Sequence, residues 1–394
     1  MKLFNTLTQS LQEFKPLKET VSIYVCGVTP YDTTHLGHAF TYVTFDTLIR
    51  YLEYKGQKVK YVQNVTDVDD DVIRKSRELG MRWDDLGNRE IERFLGDMDS
   101  LHVRRPDVYA RATDEIERII ELTKMLVERG FAYVSEGCVF FSIQKDPEFG
   151  VMAQAIGLND YQSMLTIANE RGNFPDDKRK RDPLDFILWQ AQAPDEPAWE
   201  SPWGPGRPGW HVECSSMSMY YLGQQVDIHG GGADLAFPHH TCEITQSEHV
   251  SGKVPFVGTW MHVGMVYQDG EKMSKSLGNL TLVRNLLKEY DSNVIRLVLQ
   301  SHHYRYPWEC FPEDLKIAAA TVQTLQQVRA LVGDKLTGED TMLHNRFIAA
   351  METDLNTPEV VQLLKQSAKQ ALEEQNQNLG SEILRLTQIL GMTI

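Results

Sequence analysis

Residues 21–27, Val-Ser-Ile-Tyr-Val-Cys-Gly, alternate and are rich in β-branched side chains, which reads as a strand ending in a glycine turn. After Thr34 the apolar residues fall at helical intervals through Leu48, Ile49, Tyr51 and Leu52, until Gly56 stops the helix. Residues 58–65, Lys-Val-Lys-Tyr-Val-Gln-Asn-Val, predict a second strand, and Thr66 with the acidic run Asp67 to Asp71 opens another helix. Strand, helix, strand, helix implies an α/β fold with a parallel sheet. Ligands of such sheets gather at the carboxyl ends of strands, which is where Cys26 and Thr66 fall.

A chain of 394 residues exceeds one ordinary core, so two or three domains are expected. Helical spacing returns over 112–130, and a short β segment follows around 132–142. From about 143 to 208 periodicity is poor and prolines are frequent, which marks an insertion between two halves of one fold. Residues 224–229 resume a strand, and Gly230-Gly231-Gly232 is expected to turn out of it. From Pro312 onward the spacing predicts a small bundle, with helices at about 340–352, 357–374 and 380–391. The expected division is therefore 1–142, 143–208, 209–310 and 311–394.

Apolar content is 42% and charged content 24%, as in soluble globular chains. There is no bilayer-length apolar run and no signal-peptide layout at the start, so a cytoplasmic protein is expected, and a monomer. A net charge of -15 argues against broad, sequence-independent nucleic-acid binding. It leaves room for a local basic patch. Lys178-Arg179-Lys180-Arg181 reads as a solvated loop of mixed charge, with contact to a polyanionic acceptor as the sharper alternative.

Five cysteines show no disulfide framework. Cys138 and Cys310 read as packing residues. Cys26 and Cys214, with His239 and Glu243, offer the thiolate, imidazole and carboxylate donors that zinc takes. Cys242 is set aside, because on a helix it points about 100° away from Glu243. His35-Leu36-Gly37-His38 lies at a strand-to-helix junction, where backbone N–H groups attract phosphate. Lys272-Met273-Ser274-Lys275-Ser276 supplies a second cationic segment.

These two segments resemble the paired signatures of class I aminoacyl-tRNA synthetases. Cys26-Gly27-Val28-Thr29, Asn64 to Asp70, Gly204 to Cys214 and His229 to Leu235 resemble the cysteinyl branch, over about residues 18–310. The resemblance implies a Rossmann-like parallel sheet with an inserted domain and a C-terminal helical bundle. It implies zinc on Cys26, Cys214, His239 and Glu243, holding the substrate cysteine by its sulfur. Metal coordination deprotonates a thiol, and a site that demands a specific bond discriminates by ~10⁴ or more, so serine is rejected without editing. A closed zinc site that only staples two halves together is the bland alternative. The resemblance further implies ATP, accompanied by Mg²⁺, as co-substrate for cysteinyl-adenylate formation. His35, His38, Lys272 and Lys275 would stabilise the phosphates, Gly230, Gly231, Gly232 and Asp234 would seat the adenosine, and Gly27, Thr66 and Trp210 would shape the cysteine pocket.

Typical members of the family are longer, with a C-terminal anticodon-reading domain, so a short form is expected here. Pro30, Phe40, Tyr61 to Asn64 and Glu170 to Asn173 look more like the mycothiol cysteine ligase, which passes cysteine to the amine of glucosaminyl-inositol. Glu243, His229 and Leu277 follow the tRNA enzyme. The expected acceptor is tRNA(Cys), with the amino sugar as the alternative. A nucleotidyltransferase of the same superfamily has no use for Cys26 and Cys214, and a zinc-binding paralogue without activity is expected to lose His38 or Lys275.

Overall fold

The computed structural model describes residues 1–31, 34–268, 270–273 and 280–394. Five strands, β1 (Thr20–Val28), β2 (Lys58–Val65), β3 (Val108–Arg111), β4 (Val226–Gly232) and β5 (Val257–Val263), form one sheet in the order β5-β4-β1-β2-β3. Every neighbouring pair is parallel. The chain starts at the centre, moves outward through β2 and β3, and returns on the other side of β1. Strand order therefore reverses between β1 and β4, and a crevice opens beyond their carboxyl ends.

β1 is buried on both faces, as parallel strands are. Val21, Ile23 and Val25 pack into the core shared with helix α1 (Leu36–Tyr54). Tyr24 and Cys26 point the other way, into a core shared with helix α2 (Trp210–Leu222). Strand alternation thus delivers Cys26 to the face where Cys214 waits.

Between β3 and β4 lies the inserted unit. Its antiparallel sheet runs Ala132–Ser135, Cys138–Phe141, Phe186–Ala191, Gly206–Pro208 in spatial order. The hairpin at 132–141, which the sequence pattern left with the first half, pairs with Phe186–Ala191 instead. All four residues of Cys138–Phe141 are buried, so this strand needs cover on both faces that the parallel sheet does not provide. The stretch read as aperiodic also contains a helix, Tyr161–Glu170, capped by the Asp160 side chain. It buries only Ala168, so it shows no apolar stripe.

The expected C-terminal bundle is present as Pro312–Val332, Thr341–Glu352, Thr357–Glu373 and Gln377–Ile389. It packs on helix α4 (Ser292–Gln300) and on α1. Helix α3 (Thr241–Ser251) lies against α2. Among the described residues no helix is long and apolar enough to cross a membrane.

The triple glycine does not turn. Gly230, Gly231 and Gly232 are the last residues of β4 and pair with Met261, His262 and Val263. A Cβ on Gly230 would stand 2.2 Å from the Met261 carbonyl oxygen and 2.4 Å from the Phe45 ring. Glycine is required here for close approach inside the sheet.

Candidate metal centre and adjoining cleft

The β1–β2 ladder holds register to Val25↔Gln63 and resumes at Val28↔Val65, so it breaks at Cys26–Gly27. Bulges of this kind re-aim side chains beside functional sites. The Gly27 N–H donates to Asn64 Oδ1 at 2.7 Å, and a Cβ there would lie 1.6 Å from the Asn64 carbonyl oxygen. The Tyr42 hydroxyl donates to the Cys26 carbonyl at 3.1 Å, fixing the freed strand end.

Three elements converge on this point. Cys26 Sγ lies 3.9 Å from Cys214 Sγ on α2, although 188 residues separate them in sequence. Glu243 on α3 places Oε1 3.7 Å from Cys26 Sγ and 3.2 Å from His239 Nε2. The donor atoms of Cys26, Cys214, His239 and Glu243 all lie within 4.8 Å of one another. A second set, Cys26, His229, His240 and Glu243, satisfies the same limit. In it Cys26 Sγ stands 3.3 Å from His240 Nε2 and 3.6 Å from His229 Nε2. His229 and His240 were not among the ligands expected from sequence. His240 adjoins His239, and both fall on the Glu243 side, four and three residues before it.

All these groups are buried. Burial holds the His239 and His240 imidazoles far below their ordinary pKa and His229 at about 3, so each is neutral with a lone pair to offer. Burial pushes the Cys26 thiol and the Glu243 carboxyl well up. Glu243 Oε2 has no hydrogen-bond partner among the described residues. Sulfur, nitrogen and oxygen ligand atoms thus converge around a common centre, an arrangement a cation would stabilise.

Further side chains fix the imidazoles from behind. His211 Nδ1 lies 2.9 Å from His239 Nδ1, and the Trp210 ring stacks on His239 with centroids 4.4 Å apart. His240 Nδ1 lies 2.7 Å from His262 Nε2, whose Nδ1 meets Thr6 Oγ1 at 2.8 Å. Such outer partners set the tautomer and orientation of metal-binding histidines.

A cleft of about 1470 Å³ opens over this cluster. Cys26, Gly27 and Trp210 share its wall with His35, His38, Gly232 and Asp234. His35 caps α1, its Nδ1 accepting the Gly37 N–H at 3.1 Å, which leaves the ring proton on Nε2. The His35 and His38 rings stack with centroids 3.8 Å apart. Gly230 and Gly231 sit deeper, inside β4. Thr66 is buried beneath the cleft, beside the Glu213 carboxyl, which burial pushes far above the usual carboxylate range. The Lys272 backbone forms a short strand with Tyr267, and Lys275 lies outside the described residues.

Residues 13–320 match the family described as tRNA synthetases class I (C) catalytic domain. The chain belongs to that family. Among its relatives, the cysteine--tRNA ligase of Aliivibrio fischeri is 43% identical over 100% of this synthetase chain and 86% of its own length. That of Vibrio atlanticus is 44% identical over 100% and 85%. The fold of the synthetase extends to more distant solved structures. The methionyl-tRNA synthetase of Mycobacterium tuberculosis in complex with methionyl-adenylate aligns with TM-score 0.67 at 13% identity, covering 95% of this chain and 90% of that one. Use of ATP follows from membership of the family, and a donor set that could hold a metal ion is present in this chain's own residues.

Proposed function

We propose that this synthetase is a cysteine--tRNA ligase whose metal is zinc, held by Cys26, Cys214, His239 and Glu243. One observation carries the reading: two sulfurs, an imidazole and a carboxylate meet at the carboxyl end of β1, where Cys26 lies in the wall of the cleft that also contains His35 and His38. The edge of a tetrahedron with Zn–S bonds of ~2.3 Å is about 3.8 Å, and the two sulfurs stand 3.9 Å apart. The orphaned Glu243 oxygen supports the same fit. Bound zinc supplies a bond to the substrate thiolate that a serine hydroxyl matches poorly.

Gly27, Thr66 and Trp210 shape the space for the amino acid. Its carboxylate oxygen attacks the α-phosphorus of ATP; the bond to the α–β bridging oxygen breaks, and pyrophosphate leaves. No protein nucleophile is involved, so the protein contributes positioning and charge stabilisation. His35, through Nε2–H, and His38 donate to the phosphates from the start of α1, and Lys272 and Lys275 add positive charge. Gly232 and Asp234 border the adenosine, while Gly230 and Gly231 keep β4 flush behind it. The acceptor is tRNA(Cys), supported by the relatives at 43–44% identity. The four-part division at 142, 208 and 310 serves this chemistry once the hairpin at 132–141 is counted with the insertion. The reading is of a monomer acting in the cytoplasm.

The test is exchange of labelled pyrophosphate into ATP, followed by transfer. Exchange is expected with cysteine and not with serine, and transfer to tRNA(Cys) and not to glucosaminyl-inositol. Equal exchange with serine removes the metal reading, and transfer to the sugar alone removes the tRNA acceptor.

A further inference from the structure

We infer that Glu213 is the counter-charge for the α-ammonium group of the amino-acid substrate. The inference rests on the proposed cysteine-activating function and deepens it. Glu213 is 1% exposed, yet it lies in the wall of the cleft. Neither carboxylate oxygen has a hydrogen-bond partner among the described residues. The Thr66 hydroxyl lies beside it without completing a well-formed hydrogen bond.

The cations of this quarter are already engaged. Arg207 pairs with Asp70 and Glu196, and Arg111 pairs with Asp67. Asp69, also in the cleft wall, brings a second carboxyl close to Glu213, so an arriving cation would hold the pair as carboxylates. A buried carboxylate without a donor is strongly unfavourable. A fold that keeps one in a ligand cleft is completed when the ligand brings the donor.

Position selects which donor. Trp210, Glu213 and Cys214 share one face of α2 through their i, i+3, i+4 spacing. In cysteine the ammonium nitrogen is three bonds from the sulfur. A substrate anchored by sulfur next to Cys214 therefore carries its ammonium to the neighbouring side chain. An ammonium has one positive charge and three N–H donors, which suits Glu213, Asp69 and the Thr66 hydroxyl together.

The experiment compares the full chain with Glu213→Gln for binding of L-cysteine, cysteamine (ammonium but no carboxylate) and 3-mercaptopropionate (carboxylate but no ammonium). Metal content is measured alongside. L-Cysteine and cysteamine are expected to weaken about 30-fold, as for loss of a hydrogen bond to a charged group. 3-Mercaptopropionate and metal content are expected to stay unchanged. Equal weakening of all three thiols, or of none, overturns the assignment. If Glu213→Gln does not fold, Glu213→Asp is expected to weaken the same two thiols by a smaller factor, and equal effects on all three again overturn it. An unsubstituted protein that binds none of the thiols removes the proposed function itself, and the assignment with it.

Discussion

Two clusters of buried polar groups among the described residues contrast, and one of the two is complete. Asp46 on α1 and Arg296 on α4 are both shut away from solvent. Asp46 accepts from Arg50 Nε, from the Arg104 N–H at 2.7 Å and from Arg296 Nη2 at 2.5 Å. The rest of the Arg296 guanidinium donates to the Leu101 carbonyl at 2.7 Å and the Leu390 carbonyl at 3.1 Å. Both carboxylate oxygens and all three nitrogens are met. Around Cys26, by contrast, sulfur, nitrogen and oxygen crowd together with only long contacts from the Cys26 thiol, 3.9 Å to Cys214 Sγ and 3.7 Å to Glu243 Oε1, and Glu243 Oε2 and His229 Nδ1 have no partner among the described residues. Buried charge that the protein satisfies itself joins parts of a fold, here the end of the bundle to α1 and α4. Buried charge left unsatisfied marks where something else must arrive.

Breaking the second cluster should cost chemistry more than fold. Cys214→Ala is expected to abolish stoichiometric metal and to lower cysteine-dependent pyrophosphate exchange by about 10⁴-fold, ~5.5 kcal/mol of transition-state stabilisation. Removal of metal by a chelator should act alike and be reversed by added zinc. Unchanged exchange in metal-free protein would erase the contrast.

The opposite pattern is expected at the first cluster. Arg296→Met leaves Asp46 buried and under-compensated, which should destabilise the fold by about 3–5 kcal/mol in denaturant melts. Metal content should be unaffected below the new melting temperature. Pairing it with Asp46→Leu should recover much of the loss, because an apolar pair avoids the desolvation cost.

A smaller effect tests the groups behind the metal ligands. His211→Ala is expected to weaken zinc affinity about 10–100-fold in chelator competition, since it removes the group that orients His239.

How much of this was legible in the sequence depends on distance along the chain. β1, α1 and β2 declare themselves through local periodicity, and His239 and Glu243 through the donor types they carry. The Gly230 to Gly232 run misleads because glycines look alike in a turn and in a crowded strand; only the β5 partner tells them apart. The hairpin at 132–141 finds its sheet through Phe186–Ala191, a pairing no local pattern contains. His240 was within reach of the i+3 rule, but His229 and His262 arrive on neighbouring strands whose register must be known first. Glu213 was overlooked for a different reason. Its signal is a missing partner, and a sequence does not display absences.

The mildest substitution separates the two overlapping ligand sets. Thr6 is linked to Glu243 through His262 and His240. Thr6→Val keeps the side-chain shape and removes the hydroxyl that meets His262 Nδ1, a loss of about 1 kcal/mol at that bond. If zinc sits on Cys214 and His239, His240 is a bystander, and Thr6→Val should leave zinc affinity within twofold while His211→Ala lowers it. If zinc sits on His229 and His240, the order reverses: Thr6→Val weakens affinity several-fold and His211→Ala is silent. The expected result is the first, because two thiolates bind a zinc ion more strongly than one thiolate with a second imidazole.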